Sequence, residues 1–239
     1  MEMAKRMMRL DKYLANMEIG TRTEVKKIIR KGLISINGNI QKTPEYKVSD
    51  EDVIEYQGER VQYEEYQYYM LNKPQGVLSA TTDRNEITVL DLLKGVSNKN
   101  LFPVGRLDKD TEGLLLLTNN GRLANELLSP KKHVPKKYYA RIKGEVTQLD
   151  IDAFKNGLDI GEKNRTLPAK LEILESGTES IVEITIHEGK FHQIKRMFHA
   201  VDKEVSYLKR IEMGKLKLDN NLKLGEFKKL SKWEASELC

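Results

Sequence analysis

The sequence predicts an α+β protein in two parts: a small N-terminal unit, then a larger domain whose mixed, mostly antiparallel sheet is flanked by helices. Three observations predict it. Charge reverses early: residues 1–32 hold nine Lys/Arg against four acids, whereas residues 33–70 hold three against eight. A polar stretch, Gly58-Glu59-Arg60-Val61-Gln62-Tyr63-Glu64-Glu65-Tyr66, follows that reversal. Beyond it, strand and helix patterns interleave without the regular βαβ rhythm of a doubly wound sheet. The expected division is residues 1–58, a linker at 59–67 and a second domain at 68–239.

The elements follow in order. Leu10, Tyr13, Leu14 and Met17 share one face of a helix, and Gly20 is placed to cap it. Thr21-Arg22-Thr23-Glu24 is a capping box that opens a second helix, with Val25, Ile28 and Ile29 inward. Gly32 stops that helix. Its outward side carries Arg22, Lys26, Lys27, Arg30 and Lys31, a basic face suited to phosphates. Leu33–Gly38 reads as a strand entering an Asn-Gly turn, and Val53–Tyr56 as a later strand. In the second part, Tyr68–Val77 is a strand broken by a Pro/Gly turn. Strands are expected at Lys137–Ile142, Ala169–Leu174 and Ile181–Ile186, and helices at Val89–Leu93, Leu123–Leu128, Leu149–Asn156 and His192–Val201.

Composition bounds the function. The chain has 239 residues, 32% charged and 39% apolar, with net charge +5. That is a soluble globular composition with room for a large and a small core. The apolar run Leu114–Leu117 is far too short to cross a bilayer. Met7 and Met8 are followed directly by Arg9 and Asp11, so no signal segment is read and a cytoplasmic protein is expected. The single cysteine, Cys239, excludes an intrachain disulfide and a cysteine metal site. His192 and His199 lie seven apart, not at i, i+4, so neither they nor His133 and His187 complete a metal set. No GxxxxGK[ST] loop is present, which argues against NTP chemistry.

The most informative stretch runs from Gly105 to Gly121. It sets Asp108 between a Gly-Arg turn and a hydrophobic strand, so that a carboxylate stands at the mouth of a partly dry site. Asp110, two positions on, is the competing acid.

Two resemblances enter here. Residues 7–57, with two short helices and "KGLISINGN", resemble the S4 (α-L-like) RNA-binding domain, which implies binding of structured RNA. "YYMLNKPQGVLSATTD" (68–83), the Asp108 string, "KKYYARI" (136–142) and "EGKFHQIKRMFHAV" (188–201) stand in the order of the RsuA-type pseudouridine synthases, and the likeness runs on through "LGEFKKLS" (224–231). This resemblance implies an isomerase that converts a specific uridine of bacterial 16S ribosomal RNA, by family default position 516, to pseudouridine. It implies no cofactor and no metal. The expected partner is ribosomal RNA or a small-subunit assembly intermediate, not a membrane, and a monomer is expected.

The resemblance assigns catalysis to Asp108, the acid directly after Arg-Leu. A carboxylate near C1′ can stabilise positive charge, attack it, or remove a sugar proton, and all three remain open. A cation from the late motif is implied to compensate it. Lys195 and Arg196 both point off the apolar face of their helix, and Arg196 ranks first because a guanidinium suits a bidentate pair. Tyr138, rather than Tyr139, falls at the family's tyrosine, where a ring can stack on the flipped uracil. Arg106 and Lys73 are expected to contact RNA, as are Arg9, Arg22, Lys26, Lys27, Arg30 and Lys31. Two departures are noted: Asn120 where Asp is usual, and Asp202 where Gly is usual after the late helix. Competing readings are a large-subunit RNA target and a non-catalytic RNA-binding or ribosome-assembly protein.

Overall fold

A computed structural model describes residues 7–17, 19–49, 51–96 and 100–236, so Lys5, Arg6 and Cys239 lie outside the described residues. The chain divides into two units, Met1–Glu65 and Tyr66–Cys239.

The first unit contains β1 (Met8–Arg9), α1 (Leu10–Asn16), α2 (Arg22–Arg30), β2 (Ile34–Ile36), β3 (Asn39–Ile40), β4 (Lys47–Val48), β5 (Ile54–Tyr56) and β6 (Glu59–Arg60). Leu10, Leu14, Val25, Ile29, Ile34 and Ile54 form its fully buried core. The Thr21/Glu24 capping box is present, with each side chain bonding the other residue's backbone N–H. Asn37 and Gly38 both take positive φ, as a tight hairpin turn requires. Two expectations are corrected here. Gly20 does not cap α1, which ends three residues earlier at Met17 with a bond to the Tyr13 carbonyl. Residues 59–64 are not linker: Gln57 and Gly58, again at positive φ, turn the chain back to pair β6 with β5. The Tyr13 hydroxyl then donates to the Val61 carbonyl, and Tyr63 packs 5.1 Å from the Tyr13 ring.

The second unit is built on one mixed sheet. Its elements are β7 (Tyr68–Lys73), β8 (Phe102–Pro103), β9 (Glu112–Thr118), α3 (Gly121–Leu128), β10 (Lys136–Lys143), α4 (Gln148–Asn156), β11 (Lys170–Glu175), β12 (Glu179–Ile186), α5 (Gln193–His199), β13 (Glu204–Met213), β14 (Leu216–Lys217), β15 (Phe227–Lys229) and α6 (Lys232–Ser236). Strand order is β11-β12-β10-β13-β9-β7-β15, with β14 on β13 and β8 on β9. The β13/β9 pair is parallel and the other named pairs are antiparallel.

β9 is buried on both faces, which is why it reads as an unbroken leucine run. Leu115 and Leu117 enter the larger core with Tyr138, Ile194, Met197 and Phe198, while Leu114 and Leu116 join Met70, Leu123 and Leu127 on the other side. At the parallel junction the strands approach so closely that a Cβ on Gly113 would meet the Arg210 carbonyl at 2.2 Å. Only glycine fits there, at φ +99.

The helix expected at Val89–Leu93 is instead a series of tight turns. Asp91 accepts from the Thr88 N–H and hydroxyl, as in a helix start, but Gly95 follows at φ +75 and the helix does not propagate. Both departures from the family pattern are accommodated. Asn120 caps α3 by accepting from the Leu123 N–H, and Asp202 takes the left-handed conformation (φ +57) that glycine would supply.

Candidate active site

The Asp108 loop is held by its backbone. Leu107, buried beneath it, exchanges hydrogen bonds with the Ser79 hydroxyl, which accepts from its N–H at 3.0 Å and donates to its carbonyl at 2.9 Å. The Lys73 side chain is fully buried and donates to the carbonyls of Pro74, Asp108, Lys109 and Thr111 at 3.0–3.3 Å. Burial lowers its pKa to about 8, against the opposing pull of Asp110, Asp108 and Glu112. Thr111 closes the turn by donating its N–H to the Asp108 carbonyl. Its hydroxyl, buried at the same cleft, has no hydrogen-bond partner among the described residues.

This leaves the Asp108 carboxylate, 28% exposed, free to be addressed by α5. Lys195 Nζ lies 3.4 Å from Asp108 Oδ2 and 2.6 Å from Asp110 Oδ1. Burial alone would raise the pKa of Asp110, but the hydrogen bond and charge of Lys195 outweigh it and hold the carboxyl below its usual range. His192 Nε2 approaches Asp108 Oδ1 at 3.7 Å. His192 itself is left-handed, φ +48, and its ring stacks on Phe191 with centroids 3.8 Å apart.

Tyr138 sits on the buried face of β10, opposite Ile184 and Arg210 in register, whereas Tyr139 points to the other face. Asp108, Thr111, Tyr138, His192 and Lys195 line one cleft of about 90 Å³, together with Arg106 and the apolar Ile186 and Leu208. It combines an apolar floor, an aromatic ring and a carboxylate with an ammonium beside it. Such a site can enclose a flat heterocycle while a negative charge acts at its edge.

The structure separates the sequence candidates. Asp108, Tyr138, Lys195 and Arg106 converge on this cleft. Arg196 does not: one helical step from Lys195, its guanidinium binds Glu162 at 2.8 Å and the carbonyls of Phe191 and Ile160. The expectation that Arg196 is the better partner for Asp108 is therefore corrected in favour of Lys195. Lys73 is likewise corrected, because a side chain with no solvent exposure cannot reach a phosphate and instead clamps the loop. His192, Ser79 and the second partner of Lys195, Asp110, were not assigned to the site from sequence. His192 stood in the quoted late motif, but helical spacing alone gives no sign of its reach. Among the described residues, no group of three or more His, Cys, Asp or Glu could hold a metal ion, and no helix is long and apolar enough to cross a membrane.

In the first unit, Arg22, Lys27, Arg30 and Lys31 are exposed on or just beyond α2 and make no ion pair among the described residues. Arg9 is different. It binds buried Asp11 through two nitrogens at 3.0 and 2.8 Å and also meets Glu45, so its charge is spent inside the unit. That pairing, opposed by burial, holds the Asp11 carboxyl below its usual range. Lys26 lies 3.9 Å from the same carboxylate.

The family profile for RNA pseudouridylate synthase matches residues 67–200, and that for the S4 domain matches residues 8–54. An uncharacterized RNA pseudouridine synthase of Bacillus subtilis is 47% identical, covering 95% of this chain and 96% of its own. The ribosomal small subunit pseudouridine synthase A of Haemophilus influenzae is 39% identical over 97% and 99%, and the ribosomal large subunit pseudouridine synthase B of Bacillus subtilis is 37% identical over 97% and 96%. A crystal structure of a pseudouridylate synthase superposes with a TM-score of 0.69 at 38% identity, covering 97% of this chain and all of that one. The chain belongs to the RNA pseudouridylate synthase family, with an N-terminal S4 domain. It is an isomerase acting on RNA.

Proposed function

We propose that this enzyme isomerises one uridine of small-subunit ribosomal RNA, at the position equivalent to uridine 516 of 16S RNA, with Asp108 as the catalytic carboxylate. The observation that carries the reading is the convergence of Asp108, Tyr138 and Lys195 on one cleft. The reaction breaks the N1–C1′ bond, turns the freed uracil, forms a C5–C1′ bond and moves the C5 hydrogen to solvent while N1 gains a proton. Asp108 acts at the sugar, Lys195 sets a positive charge beside it, and Tyr138 holds the base while it turns. The S4 unit, residues 1–58 with β6 added, docks a monomeric enzyme on the RNA in the cytoplasm. Small-subunit relatives such as that of Haemophilus influenzae support this target; the large-subunit relative of Bacillus subtilis supports the second reading, a 23S-type substrate.

The test is hydrogen release from RNA transcribed with uridine tritiated at C5. Release from small-subunit RNA by the native enzyme, lost in Asp108→Asn, is expected. Turnover by Asp108→Asn would overturn the assignment, and release only from large-subunit RNA would move the target.

A further inference from the structure

Phe191 is 71% exposed, yet it is not an isolated surface side chain. One face of its ring lies on the His192 imidazole, nearly parallel at 19°. That imidazole lines the cleft and stands 3.7 Å from Asp108, so Phe191 is layered on a ring that itself borders the cleft. The other face of Phe191 is open to solvent. Its backbone is fixed, because the Phe191 carbonyl accepts from Arg196, which is anchored in turn on Glu162. Arg106 stands exposed at the same cleft and makes no ion pair or hydrogen bond among the described residues. A rigid aromatic step bordered by a free cation is the chemistry that receives an unpaired nucleobase and its phosphate.

We propose that the Phe191–His192 stack is a shelf for the nucleotide next to the target uridine; this rests on reading the Asp108 cleft as the uridine's site. Flipping one nucleotide strips its neighbour of a stacking partner. The shelf replaces that partner at the moment the uridine enters the cleft, and it accepts any base because every base has a flat face.

The experiment uses the full-length enzyme and whichever ribosomal RNA transcript it modifies, with Phe191→Ala, Phe191→Leu and Phe191→Trp. Stacking of ordinary strength corresponds to a KM increase of roughly five- to hundred-fold in Phe191→Ala, with kcat within about threefold. Phe191→Leu keeps apolar area without a ring face and is expected to resemble Phe191→Ala, while Phe191→Trp should match the native enzyme. In parallel, 2-aminopurine placed on either side of the target should be quenched on one side by native protein and not by Phe191→Ala. Native-like kinetics in Phe191→Leu, or quenching that survives Phe191→Ala, would overturn the shelf. Such a result with an inactive Asp108→Asn sinks the shelf alone; an active Asp108→Asn sinks the site reading beneath it.

Discussion

The Lys73 ammonium donates to the main-chain carbonyl of Asp108 at 3.1 Å, from a position with no solvent exposure. The carboxylate proposed to act on substrate is thus positioned through its backbone by a buried cation on the adjoining strand, β7. Replacing Lys73 by Met takes the lysine donor from the Pro74 and Thr111 carbonyls and leaves those of Asp108 and Lys109 with only a backbone N–H each, at about 2–4 kcal/mol in urea unfolding and with a fall in kcat. The pH dependence has a definite sign. With the folded pKa lowered to about 8, the unfolded chain binds the extra proton between pH 8 and the ordinary lysine value, so stability rises with pH in that window. Measured against Lys73→Met, the native protein should gain about 1–3 kcal/mol from pH 8 to 10.5. A flat difference would contradict it.

Lys195 and Arg196 are neighbours with opposite expected phenotypes. Lys195→Met removes the cation beside Asp108 and is expected to slow turnover about hundred-fold or more with little change in melting. Arg196→Ala loses contacts to Glu162, Phe191 and Ile160 and should cost about 1–3 kcal/mol of stability. Parallel rates and melting curves check the pair.

Asp202 holds a left-handed backbone at the end of α5, a conformation that costs a non-glycine residue about 1 kcal/mol. It also places an acidic residue just beyond the negative end of the helix. Asp202→Gly should therefore stabilise the enzyme by about 0.5–1 kcal/mol, read as a raised urea midpoint with unchanged slope.

The α2 face should govern RNA affinity through charge. Lys27→Gln with Arg30→Gln removes two unpaired cations and is expected to reduce the slope of log affinity against log salt by about two. Arg9→Gln should instead destabilise the first unit, because it strands the buried Asp11 carboxylate. Salt titrations of binding, set beside thermal melts, distinguish these outcomes.

Much of this was legible in the sequence because each signal was local. The Thr21/Glu24 box, the Asn37-Gly38 turn and the leucine run of β9 each declare themselves within a few residues. Asp108 and Tyr138, singled out by motif position, lie together at one cleft. β13 was not anticipated as a strand. Bulges opposite Lys137/Tyr138 and Arg141/Ile142 break its register, and buried Arg210 disguises the alternation. The roles of Lys73 and Arg196 were misread for a related reason: a lysine's formal charge suggests the surface, and only long-range packing shows which carbonyls it serves. Gly113 follows the same logic, since its need for glycine comes from a strand almost a hundred residues later.

β13 lies between β9 and β10, which do not pair with each other, and it is among the last strands to be made. As the ribosome extends the chain, both halves of the sheet wait with open edges until residues 204–213 emerge. Those edges are sticky in the meantime. Vectorial synthesis therefore joins the two walls of the cleft near its end, so that a truncated chain carries Asp108 and Tyr138 on separate fragments of sheet. A nascent polypeptide missing its final strands would hold both residues and no working cleft.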